Sequence, residues 1–93
     1  MEQKRIGLNI IGENLRRIRK SKKWTQTALI AHCQIMGWQL SRESLAKVET
    51  GLRRVNDAEV CLFAKVLRCP IDALMEGADE FLLAVARHGP DVS

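Results

Sequence analysis

The side chains with the clearest chemical potential are six cations packed into eight residues near the start of the chain. They are Arg16, Arg17, Arg19, Lys20, Lys22 and Lys23. Cations near the end of a helix suit its macrodipole, but that effect needs fewer of them. The group could bind the phosphates of a polyanion, or it could form an ordinary solvated helix face.

Charge along the chain separates a basic end from an acidic end. Residues 1–23 carry eight Lys or Arg and two acidic residues, whereas residues 55–93 carry three Lys or Arg and seven acidic residues. The formal net charge is +4 at pH 7. This distribution fits a polyanionic partner on one side of the molecule.

Histidine and cysteine are too few and too scattered to indicate a metal centre or a catalytic site. His32-Cys33 and the pair Cys61 and Cys69 lack the spacing of zinc motifs. The two histidines, His32 and His88, are distant in sequence, and the chain has no glycine-rich phosphate loop or nucleophile motif. We therefore expect no enzyme activity, no metal and no cofactor, and we expect the cysteines to be small buried residues.

Length and composition indicate one small globular domain. Hydrophobic residues make up 46% of the 93, which is enough for one core and argues against disorder. An odd number of cysteines and a polar N-terminus unlike a signal peptide favour the reducing cytoplasm. No apolar run reaches the ~18–20 residues that would span a bilayer, so we expect no membrane association.

Apolar spacing predicts helices throughout the chain and gives little support for strands. Five of the predicted helices span 10–22, 26–34, 42–50, 71–75 and 79–88. Another is opened by a capping box at Asn56 and broken by Pro70. Thr25 and Ser41 are the predicted N-caps of the second and third helices, and Gly51 is the predicted stop of the third. The fold class that follows is all-α.

The segment 24–74 has the arrangement that groove reading needs. Thr25-Gln26 opens one helix, and the helix after Ser41 carries polar residues at its N-terminal, outward positions. A basic loop, Arg53-Arg54, comes after it. Such a helix can enter a major groove by its N-terminal turns while its flanks bind phosphate.

Short pieces spaced along residues 10–75 add a family pattern. They are Ile18-Arg19, Trp24-Thr25-Gln26, Leu29, Ser41-Arg42, Leu45, Val48-Glu49, Gly51, Leu62, Ala64-Lys65, Leu67 and Ile71-Asp72-Ala73-Leu74. In this order and spacing they resemble the lambda-repressor/Cro-like (XRE-family) helix-turn-helix domains. The resemblance implies a five-helix lambda-repressor-like DNA-binding domain over 10–76, with an N-terminal arm at 1–9 and an additional C-terminal helix and tail at 77–93.

The resemblance also implies roles for the outward residues of the third helix. Arg42, Glu43, Ala46 and Lys47 occupy the family's base-reading positions. Arg42 could bind O6 and N7 of guanine, Glu43 could accept from N4 of cytosine, and Ala46 could contact a thymine methyl. The alternative is that Arg42 and Glu43 form only a solvated first turn.

Phosphate contacts and one ion pair complete the site that the resemblance implies. The expected phosphate ligands are Arg19, Gln26, Ser44, Thr50, Arg53 and Arg54. Arg19 and Glu49 are expected to form an ion pair that ties the first helix to the recognition helix.

The turn between the second and third helices departs from the family pattern. Counted from Thr25 to Glu49, it is several residues longer, and the surplus lies in 33–40. The extra residues could lengthen the second helix or form an apolar plug built on Trp38. We expect Trp38 to pack in the core, with a partner contact as the alternative.

Together these expectations describe a sequence-specific transcriptional regulator of double-stranded DNA. A repressor is favoured because occlusion needs no activation surface, and a homodimer would contact half-sites one helical turn apart. The last helix could cover its own core or pack against a second copy. The alternative function is a protein-interaction module, an antitoxin or adaptor that keeps the fold. No small-molecule ligand is expected.

Overall fold

Helices account for all the regular structure in the computed structural model, which describes residues 7–87. They are α1 (Gly12–Ser21), α2 (Gln26–Ile35), α3 (Arg42–Glu49), α4 (Asp57–Leu67), α5 (Ile71–Leu74) and α6 (Leu82–Arg87), with a 3-10 turn at Asp79–Phe81 directly before α6. The all-α prediction is therefore confirmed. Residues 1–6 of the expected arm, and His88 with the tail after it, lie outside the described residues.

Side-chain caps begin three of these helices where the sequence predicts them. The hydroxyls of Thr25 and Ser41 each accept from the backbone N–H three residues later, at 3.0 Å. At α4 the capping box closes in both directions. The Asn56 side chain accepts from the Glu59 N–H at 2.8 Å, and the Glu59 carboxylate accepts from the Asn56 N–H at 3.1 Å.

The ends of α1, α2, α3 and α4 share one geometry, the Schellman motif. In each, a residue with positive φ follows the helix, and the N–H of the next residue donates back to a carbonyl five positions earlier. Glycine holds the positive φ after α2 and α3, as Gly37 (91°) and Gly51 (80°). After α1 the residue is Lys23 (63°), and after α4 it is Arg68 (56°). A positive φ costs a residue that has a side chain about 1 kcal/mol in backbone strain.

The core lies where the first five helices meet. Leu45 and Val48, the predicted inner face of α3, are fully buried there. Their neighbours in the same cluster include Leu15, Leu29, Cys33, Phe63, Leu67 and Leu74. Burying α3 along this one stripe leaves its opposite side to solvent.

The long turn between α2 and α3 combines the two expected solutions. The helix α2 runs to Ile35, one residue past its predicted end. Trp38 then packs edge-on against Phe63, with ring centroids 4.8 Å apart. Ile35 and Met36, which precede this anchor, stay exposed at 82% and 43%.

The helix α1 begins two residues later than predicted. The Asn9 carboxamide oxygen accepts from the N–H groups of Ile11 (3.1 Å) and Gly12 (2.7 Å), so it caps the first turn and excludes Ile10 from the helix. The predicted start at Ile10 is therefore wrong. The Ile10 side chain packs against the core from the segment before the helix.

Candidate nucleic-acid interface

The helix α3 presents a polar surface on the side away from the core. Arg42, Glu43 and Lys47 are exposed, and Ala46 is half-buried between them and the core. The Lys47 ammonium lies 3.9 Å from the Glu43 carboxylate, one turn apart, with side chains 53% and 81% exposed. An ion pair that exposed is worth little and leaves both groups available to a ligand.

A buried ion pair fixes the C-terminal end of this helix. Arg19 donates from Nε to Oε2 of Glu49 at 2.7 Å and from Nη2 to Oε1 at 3.0 Å. The side chains are 7% and 1% exposed, so the pair is shielded from water. Removing one partner would leave a buried charge uncompensated, at a cost of about 3–5 kcal/mol. The structure thus brings together the two residues expected to tie α1 to α3.

This burial argues against the direct phosphate contact expected of Arg19. Its Nη1 also donates to the carbonyl oxygen of Trp24 at 2.7 Å, so the guanidinium is surrounded by partners within the protein. The contacts of Arg19 thus join α1, the segment before α2 and the end of α3.

The N-terminus of α2 joins the same network. The Gln26 amide donates to Oε1 of Glu49 at 3.1 Å, so its side chain bridges α2 and α3. Because Thr25 occupies the Ala28 N–H, the first N–H groups of α2 are the ones left for an anion. This geometry favours a phosphate contact from the Gln26 backbone over one from its side chain.

Two residues with hydroxyl groups are expected to bind phosphate, Ser44 in α3 and Thr50 directly after it. Ser44 lies in the first turn, where its backbone N–H donates to the Ser41 cap. The Thr50 hydroxyl donates to the carbonyl oxygen of Ala46 at 2.9 Å. A phosphate contact from Thr50 would require this hydroxyl to rotate away from the helix end.

Arg53 and Arg54 lie in the loop after α3, and Arg53 is paired with an acidic residue of α4. Arg53 donates to both carboxylate oxygens of Glu59, at 3.2 and 2.9 Å, and this hydrogen-bonded pairing lowers the pKa of Glu59. The capping box of α4 therefore holds Arg53, which argues against the phosphate role expected of it. Arg54 is exposed beside it and remains a candidate.

Sequence reasoning missed the N-terminal segment, Gly7–Asn9, which was assigned to the arm. In the structure the Leu8 N–H donates to the Gly51 carbonyl oxygen at 2.8 Å, and Gly7 lies against Gly51. The segment therefore packs on the end of α3. The available signal was an Asn just before a helix with glycines two residues before it and three after it, but this pattern does not identify the distant helix that the segment contacts.

The basic group at residues 16–23, in the second half of α1 and the turn after it, is exposed apart from Arg19. Arg17 pairs with Glu76 at 3.2 Å, and Lys22 lies 5.7 Å from the centre of the Trp24 ring. The other exposed members are Arg16, Lys20 and Lys23. Of the group, Lys22 and Lys23 lie in the turn that leads from α1 to α2.

Two of the three cysteines are at least partly buried, and His32 packs on an aromatic ring. Burial raises the pKa of Cys33 to about 11 and also raises the pKa of Cys69, whereas Cys61 is exposed, which corrects the expectation that all three are buried. His32 stacks on Trp24 with ring centroids 4.1 Å apart. Among residues 7–87 no three His, Cys, Asp or Glu side chains gather closely enough to hold a metal ion.

Comparison with known proteins identifies one family. The model of the family described as a helix-turn-helix domain matches residues 10–76, the stretch that contains α1 to α5. No curated protein and no solved structure matches the chain.

None of the helices in the described part of the chain has the length and apolar character to cross a membrane.

Proposed function

The chain belongs to the helix-turn-helix domain family, and from this premise we propose that it is a sequence-specific regulator of transcription that binds double-stranded DNA. In this proposal α3 enters the major groove by its N-terminal turns. A repressor role is favoured, because occluding a promoter needs no activation surface. The proposal includes no catalytic or cofactor-dependent step.

The observation that supports the proposal most strongly is the way α3 is held. One side of the helix is fully buried at Leu45 and Val48, and its end is tied to α1 through Arg19 and Glu49. The polar side is left exposed and cannot turn inward. Groove reading needs such a rigid, outward helix, because base contacts depend on accurate placement.

The roles proposed for individual residues follow from their exposure. Arg42, Glu43 and Lys47 read base edges, and Ala46 allows the helix to approach a thymine methyl. Phosphate contacts come from the α2 N-terminus at Gln26 and from a second group of residues. That group comprises Ser44, Arg54 and the exposed cations of α1, with Thr50 joining after rotation of its hydroxyl.

A homodimer is the proposed binding form. Two copies related by a two-fold axis would contact half-sites one helical turn apart, about 34 Å, and would double the number of bases read. The exposed Leu82 and Leu83 on α6, at 47% and 67%, support a contact with a second copy. The proposed location is the cytoplasm, because its reducing environment would keep the exposed Cys61 as a free thiol.

The decisive test combines a DNA selection with two variants. Duplexes that bind the wild-type protein are selected from a random pool, and dissociation constants are measured by fluorescence anisotropy on the selected duplex and on a scrambled one. Arg42→Ala should weaken selected binding by about 10- to 100-fold and relax one base position. The control Lys65→Ala removes an exposed cation from α4 and should change neither constant by more than about twofold.

Other outcomes would contradict the proposal at different levels. An equal loss on both duplexes for Arg42→Ala would refute base reading by that residue. A wild-type protein that enriches no sequence, and whose DNA binding shows no steep fall with salt, would refute the proposed function. Such a protein, if it co-purified with a neighbouring gene's product, would match the interaction module instead.

A further inference from the structure

Backbone atoms at the start of α1 and the end of α3 are in direct contact. A Cβ added to Gly7 would lie 2.8 Å from the Gly51 Cα, closer than Cβ atoms approach in proteins. A Cβ added to Gly12 would collide with the carbonyl oxygen of Val48. Glycine at both positions thus lets the N-terminal segment and α1 meet α3 without intervening side chains.

The Asn9 side chain joins these two helix ends with its full hydrogen-bonding capacity. Its amide nitrogen donates to the carbonyl oxygens of Val48 at 3.1 Å and Arg53 at 2.8 Å. Its amide oxygen accepts from Ile11 and Gly12, as described above. A primary amide has two donors and two favourable acceptor sites, and all four are used here. Asn9 therefore links the first turn of α1, the last turn of α3 and the loop beyond it.

This link is the second one between α1 and α3. The first, at Arg19, lies seven residues along α1 from Gly12, a separation of about 10 Å at the helical rise. Both ties reach the C-terminal end of α3, at Val48 and Glu49, from points spaced along α1. Together with the burial of Leu45 and Val48, they fix the direction of the helix.

The direction of α3 decides where its base-reading end lies. Arg42 is six residues from Val48, or about 9 Å along the helix, so a swing of about 10° would displace it by about 1.5 Å. A bidentate contact to a base tolerates displacements of only about 0.5 Å. Loss of either tie would therefore disturb base reading more than it disturbs phosphate binding, which is less demanding in geometry.

We propose that Asn9 is a positioning residue for base reading, because its carboxamide holds the end of α3 in the direction that α3 needs to enter the groove. This inference rests on the proposed function, since it assigns a cause to the specificity of the same site. It gives the segment before α1 a part in recognition without any contact to DNA.

The test uses an isosteric change and a matched control. Asn9→Asp keeps the oxygen that caps α1 but replaces the donor to Val48 and Arg53 with a second acceptor. The control is Asn14→Asp, because the Asn14 amide also donates to two carbonyl oxygens at the end of another helix, those of Leu74 and Glu76, both at 2.8 Å. Dissociation constants for the selected and scrambled duplexes are measured at a temperature where circular dichroism shows each variant folded.

The specificity ratio, the scrambled constant divided by the selected constant, distinguishes the outcomes. Asn9→Asp should lower this ratio by about tenfold or more, while Asn14→Asp should leave it within about twofold of the wild type even though both lose stability. If Asn9→Asp kept the wild-type ratio, the positioning role would be overturned and the proposed function would stand. A wild-type ratio near one would overturn the proposed function itself. Should Asn9→Asp fail to fold, Asn9→Ser takes its place, since its hydroxyl can cap α1 but cannot span both carbonyls.

Discussion

At the scale of single residues, the Arg53–Glu59 ion pair has a clear dependence on pH. Its hydrogen bonds lower the pKa of Glu59, so its stabilising effect is present above the ordinary carboxyl value and is lost as the pH falls through the lowered one. Glu59→Gln keeps the capping-box acceptor and removes the charge. We expect this variant to lose about 0.5–1 kcal/mol of unfolding free energy at pH 7.

Urea titrations over a range of pH check this prediction. The wild type and Glu59→Gln should converge in stability as the pH falls through the lowered pKa of Glu59, where the wild-type carboxylate becomes protonated. A difference that stayed constant from pH 7 to pH 3 would mean that the charge of Glu59 contributes nothing. Arg53→Ala should cost similar stability at pH 7, because it removes the same ion pair.

The left-handed residues Lys23 and Arg68 give a second prediction at this scale. Because glycine adopts positive φ without a steric penalty, Lys23→Gly and Arg68→Gly should each raise the unfolding free energy by about 0.5–1 kcal/mol. Lys22→Gly is the control, since Lys22 has φ −89° and gains nothing from glycine. Urea midpoints measure all three, and a decrease for both Lys23→Gly and Arg68→Gly would contradict the strain assigned to these helix ends.

At the scale of elements, the long turn between α2 and α3 depends on Trp38. Its ring packs on Phe63, and its backbone N–H closes the Schellman motif of α2 on Cys33 at 2.9 Å. Trp38→Ala should lower the unfolding free energy by about 2–3 kcal/mol, whereas Trp38→Phe, which keeps an aromatic ring, should lose less than about 1.5 kcal/mol. Chemical denaturation measures both, and equal stability of Trp38→Ala and the wild type would show that the turn is not anchored there.

The elements also show which features a sequence can predict. The bounds of α2, α3 and α5 are correct to within one residue, because caps, apolar stripes and glycine stops are local signals. The start of α1 was missed because it is set by Asn9, whose other contacts are 39 and 44 residues away. The roles expected of Arg53 and Arg19 depend on the partners that the fold supplies, since an arginine paired inside the protein and one facing a phosphate look alike in sequence.

At the scale of the whole molecule, the outer face of α6 is the proposed site of dimer contact. Phe81 and Val85 are half-buried, but Leu82 and Leu83 face solvent. If two copies meet there, Leu83→Glu should shift the protein toward monomer in sedimentation velocity, because it would bury a charge in the interface. Ile71→Glu changes an exposed apolar residue of α5 in the same way and should leave the oligomeric state unchanged.

The DNA-binding consequence of the same variant connects the dimer to the function. A monomeric Leu83→Glu protein should bind a single half-site about as well as the wild type does, but it should lose most of its affinity for a paired site. An unchanged sedimentation coefficient together with full affinity for paired sites would place the dimer contact elsewhere.

The aromatic inventory of the chain has a practical consequence. With two tryptophans and no tyrosine, all its intrinsic emission comes from Trp24 and Trp38. Trp38 lies against the core. Trp24 comes two residues before α2 begins, close to the site where a phosphate is proposed to bind, and its ring stacks on the exposed imidazole of His32. Substituting Phe for Trp38 would leave one chromophore beside the nucleic-acid surface. That variant would report docking by a change in fluorescence, without any attached dye.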